Sequence, residues 1–119
     1  MTARISSLCL ALGLAAPFVF GTAGAQTTVT DEEGRSEEIY EIGTLHPAPG
    51  AQITYDLCTV CHSEMIIAQQ GQTREGWDEI LVWMVEEMGM QELMPDERER
   101  VLDYLAAHYN TDRPHFPGN

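Results

Sequence analysis

The sequence predicts a small all-α domain of about three helices, and three observations carry that expectation. Residues 73–89, TREGWDEILVWMVEEMG, place Trp77, Ile80, Leu81, Met84 and Met88 at i, i+3, i+4, i+7 and i+11, the repeat of one apolar helix face. Pro95 followed by Asp96 and Glu97 reads as a helix start, with proline where no N–H is needed and acids in the positively polarised first turn. No stretch alternates apolar and polar residues as a half-buried strand does.

The first segment, residues 1–25, is expected to be a secretory signal. Arg4 gives a short positive start, Ile5 to Phe20 an apolar stretch broken by Gly13 and Pro17, and Ala23-Gly24-Ala25 a small-x-small cleavage site. Export to the periplasm follows as an expectation, with no membrane attachment after cleavage and with Cys9 removed. Residues 26–52 read as an acidic, extended N-terminal arm. QTTVTDEEGRSEE is polar and unpatterned, and Gly43, Pro47, Pro49 and Gly50 forbid a long regular element in the strap that follows.

The helical domain is assigned to 53–110. Its first helix is expected from about Thr54 or Tyr55, running through LCTVCHSEMIIAQQ to a terminating Gly71. The second is the stripe helix closed by Gly89, and MQELM connects it to the third. In that last helix Val101, Leu102, Leu105 and Tyr109 line one face; residues 111–119 form a tail that Pro114 and Pro117 keep irregular.

The charge is lopsided: the chain has no Lys, and beyond residue 25 five Arg face nineteen Asp plus Glu, a net charge of −14. Such a surface repels nucleic acid and anionic lipid and favours a partner with a basic docking patch.

Chemistry is concentrated in DLCTVCHSE, residues 56–64. Cysteines three apart on a helix share a face, with the next residue beside them. Two such thiols suit the two vinyl groups of one haem while the imidazole of His62 reaches its iron, and C-x-x-C-H is the c-type attachment string. Cys58 and Cys61 are thus the candidate thioether residues and His62 the candidate axial ligand of one covalent haem c. A structural zinc site needs about four ligands, and no second ligand pair accompanies these three. A thioredoxin-like pair belongs in a βαβ setting, for which no strand pattern is present. A disulfide three residues apart would close too short a loop to staple the domain.

For the sixth iron position the candidates are Met65, Met84, Met88, Met90 and Met94, with His46, His108 and His115. Met65 lies on the proximal side; Met84 and Met88 complete a core stripe, and Met90 sits in a connector able to present sulfur. Trp77 has two readings, a core anchor or a haem contact whose indole N–H meets a propionate; Arg74 and Arg113 are the candidate propionate partners.

The C-x-x-C-H helix followed by a terminal helix with LDYLAAHY resembles the class I cytochrome c fold. More narrowly, CTVCHS with Trp77, Met84, Gly89 and a terminal YLA is similar to the small monohaem cytochromes that partner periplasmic molybdenum sulfite dehydrogenases. The likeness spans about 55–109, and the acidic arm has no assigned counterpart in it. The resemblance implies a distal ligand at Met84, while the usual class I topology takes it from the loop before the last helix, here Met90. It implies an electron carrier and not an enzyme, fed by a periplasmic dehydrogenase and emptied by a cytochrome or terminal oxidase. The alternative is a haem domain with an open or labile sixth position that binds gas or peroxide.

Overall fold

The computed structural model describes residues 26–117, so the expected signal segment lies outside the described residues. The described residues form two strands and four helices: β1 Thr27–Thr30, β2 Ser36–Ile39, α1 Ala51–Cys58, α2 Met65–Ala68, α3 Arg74–Glu86 and α4 Pro95–His108. The architecture is therefore mixed, not purely α.

The N-terminal segment corrects the expectation of an unstructured arm. β1 and β2 pair antiparallel, from Thr27 opposite Ile39 to Thr30 opposite Ser36. Asp31 organises the turn: its carboxylate accepts from the Arg35 backbone N–H at 2.7 Å, and Gly34 takes the left-handed conformation at φ 81°. Ile39 is buried, and Glu37 pairs with Arg100 of α4 at 3.1 Å while also accepting the Gly50 N–H. The hairpin is thus fastened to the last helix.

The start of the strap over 40–50 is held by Gln52. Gln52 accepts from the N–H of Tyr40 (3.0 Å) and Glu41 (3.3 Å) and donates to the Glu41 carbonyl at 3.0 Å. Gly50, at φ 93°, caps α1, and a Cβ there would stand 2.7 Å from the Cβ of Tyr104. That contact sets how closely α1 approaches α4.

The expected first helix begins earlier and is split. α1 already ends at Cys58, residues 59–64 turn, and α2 is a short separate helix. The turn is tied to the strap by Glu64, which accepts from Ser63 Oγ at 2.9 Å and from the Thr44 N–H at 3.4 Å. Gly71 does not close a helix by left-handed φ. A Cβ there would lie 2.2 Å from the Asn110 carbonyl oxygen, so it is needed because the chain after α4 passes against it.

α3 and α4 follow the sequence pattern closely. Thr73 Oγ1 accepts the Gly76 N–H at 3.1 Å to cap α3, and Gly89 at φ 75° turns the chain so that the Met90 N–H meets the Met84 carbonyl at 2.9 Å. Glu97 accepts the Met94 N–H at 3.0 Å at the head of α4. Val101, Leu102, Leu105 and Tyr109 are all buried, and α4 is the element against which both α1 and α3 pack. No helix among the described residues is long and apolar enough to cross a membrane.

Candidate functional site

A small cleft of about 50 Å³ lies between the end of α1, α2 and α3. Cys58 and His62 line one part of it, Met84 and Met90 another, and Trp77 and Leu105 are among the side chains that complete it. The stripe of α3 explains the far wall. Trp77 and Leu81 are buried as anchors, which turns Ile80 and Met84 toward the cleft half-buried, while Met88 points away with 59% exposure.

One ring nitrogen of His62 is engaged by the backbone. Its Nδ1 lies 3.2 Å from the Ser63 carbonyl, a bond that requires the proton on Nδ1 and leaves the Nε2 lone pair free. Cys58 sits at the C-terminal end of α1, and burial pushes its thiol up to about 11. A redox pair of the thioredoxin kind needs the opposite: a helix N-terminus and a lowered thiol pKa. Cys61 is exposed and does not line the cleft, and neither thiol is in a disulfide.

The methionine candidates separate by position. Met65 sulfur accepts the Thr44 hydroxyl at 3.1 Å outside the cleft, and Met88 and Met94 are exposed. Met84 and Met90 alone among them reach the cleft, side by side through the bond between their backbones. Trp77 lines it with its ring, yet its indole N–H donates to the Tyr109 carbonyl at 2.8 Å. The N–H is therefore engaged within the fold, as the core-anchor reading of Trp77 has it. Arg74 is likewise engaged, with Glu99 at 2.6 Å and Asp103 at 3.0 Å, and Arg113 lies over the Phe116 ring.

Of the donor types a covalent haem uses, the apolar cleft gathers an imidazole, one thiol and two thioethers, with Cys61 exposed outside it. This set does not fit zinc held by the cysteines. Among the described residues the one group of three or more His, Cys, Asp or Glu atoms near enough to share an ion is His46, His108 and His115. These three stand apart from the cleft, so none of them lines it beside Met84. Spacing alone gave no sign that they meet, because 46, 108 and 115 come from the strap, the end of α4 and the tail.

No family model, no curated protein and no solved structure matches this chain.

Proposed function

We propose that the protein is an exported monohaem c-type cytochrome of small class I type that carries single electrons between a periplasmic dehydrogenase and the respiratory chain. One observation supports this most: Cys58 and His62 of the C-x-x-C-H string line the same apolar cleft as two methionine side chains. When bound, the haem supplies one-electron iron chemistry, at a potential raised by methionine ligation. The chain's own contribution is to hold and enclose. Cys58 and Cys61 would hold the haem as thioethers at its two vinyl groups, His62 would offer Nε2 and Met84 its sulfur, with Met90 as the alternative. Ile80, Leu81 and Leu105 keep water off that environment. The acidic surface steers a partner with a basic docking patch.

The sensor reading needs a labile or open sixth position, and two thioethers at the cleft speak for a closed one. The test is expression in a host competent in cytochrome maturation. Haem stain should survive denaturing electrophoresis, and Met84→Ala should lose the far-red ferric band of methionine ligation while Met90→Ala keeps it. Colourless protein with both thiols free to alkylate overturns the proposal. Loss of the band only in the Met90 variant moves the ligand without touching the carrier.

A further inference from the structure

Three of the chain's four histidines converge on the side of α4 that receives the strap and the tail. The rings of His46 and His115 stack with centroids 3.5 Å apart and 7° between planes, and His108 lies 4.8 Å from His46 and 5.2 Å from His115. One ring nitrogen of each falls within 4.8 Å of the others.

The arrangement is fixed by the fold and not by the imidazoles. The His46 N–H donates to the Tyr109 hydroxyl at 2.9 Å, and the His46 carbonyl accepts the Tyr104 hydroxyl at 2.7 Å. Both tyrosines are buried, so the His46 backbone is clamped from both sides. His108 is the last residue of α4, and His115 is returned to it by a turn in which Arg113 N–H meets the Asn110 carbonyl at 2.9 Å. No hydrogen bond or ion pair among the described residues engages any of the three rings. The three half-buried imidazoles thus face one another with no carboxylate or hydroxyl partner at their rings.

We propose that His46, His108 and His115 form a three-imidazole site for a divalent transition metal of the zinc–copper class, joining the strap before α1 to the tail after α4. With metal–nitrogen bonds of about 2.0–2.1 Å, nitrogens at a tetrahedral centre stand roughly 3.3 Å apart. Closure from the observed spacing of up to 4.8 Å requires the stacked rings of His46 and His115 to turn out of their parallel arrangement. Imidazole is a preferred ligand of zinc and copper, and the absence of carboxylate selects against magnesium and calcium. Burial and the other two imidazoles push His108 down to about 4, which leaves its lone pair available at neutral pH. The site is independent of the haem reading, since no residue is shared with the cleft.

The test uses the untagged, exported chain with its haem, stripped by chelator and titrated with Zn²⁺ by calorimetry. One equivalent should bind and raise the thermal midpoint, and Cu²⁺ should displace it. His108→Ala and His115→Ala should each weaken binding at least about 100-fold, by comparison with the 10–100-fold losses that even outer-shell changes cause. His115 lies in the tail, so its variant should keep the helical circular dichroism of the parent while losing the Zn²⁺-dependent thermal shift. Absence of saturable one-to-one binding, or binding and thermal shift unchanged in the His115 variant, overturns the site.

Discussion

Cys58 and Cys61 share a motif but not an environment. Cys58 closes a helix with its thiol buried and pushed up to about 11, whereas Cys61 is exposed. Thiolate is the reactive form. In chain produced without haem attachment, brief iodoacetamide treatment near pH 8 should therefore label Cys61 well before Cys58 by mass spectrometry; equal rates would contradict the cleft described above. Trp77 is the other instructive residue, because its indole N–H satisfies the Tyr109 carbonyl in the interior. Trp77→Phe keeps most of the apolar body and removes one of two bonds to that carbonyl, which still accepts the Gln72 N–H at 3.1 Å, so the cost should be that of a single hydrogen bond, about 0.5–1.5 kcal/mol. Denaturant unfolding should register the loss, with the visible spectrum of any bound haem unchanged. An unchanged midpoint would show that the bond contributes nothing net.

Among the elements, α3 and α4 were legible because their signals are local. The apolar repeat from Trp77, the positive-φ Gly89 and the Pro95-Asp96-Glu97 start each act within a few residues. Thr73 adds a side-chain cap to α3, and Thr73→Ala should cost about 1 kcal/mol in unfolding free energy. The hairpin was not legible, since its strands are four residues each and bury only Ile39; its order comes from Glu37 reaching Arg100, 63 positions away. The break after Cys58 was missed for a related reason: Glu64 holds the turn through Thr44, twenty residues upstream. Gly71 carries the same lesson, as its requirement comes from Asn110. Gly71→Ala should unfold at clearly lower denaturant than Gly34→Ala. At Gly34 there is open space and only the left-handed φ is at stake, worth about 1 kcal/mol.

At the scale of the whole molecule, charge and topology govern behaviour. A net charge of −14 beyond residue 25 should make reaction with a basic redox partner fall steeply as salt is added, since screening acts over about 8 Å at physiological ionic strength. Stopped-flow rates flat across ionic strength would argue against electrostatic docking. The histidine group makes metal-free protein acid-sensitive. His108 titrates near 4 and His46 below its ordinary value, because burial and neighbouring imidazoles disfavour their cations, while unfolded histidines titrate near about 6.5. The unfolded chain then binds protons first. Stability should be full above about pH 6.5, decline as pH falls toward about 4 and level off below, a drop that His108→Gln should reduce. The cleft side chains follow from the α3 stripe and the motif, but the histidine group depends on three distant segments meeting, which no periodicity encodes. That reliance on distant meetings has a temporal consequence. Hairpin, strap and first helix all find their partners on the final helix, through Arg100, Tyr104 and Tyr109. A chain emerging from its N-terminus thus has nothing durable to dock on until nearly all of it is available, so collapse waits for the last segment. During that interval both sulfurs of the motif stay accessible to reagents in solution.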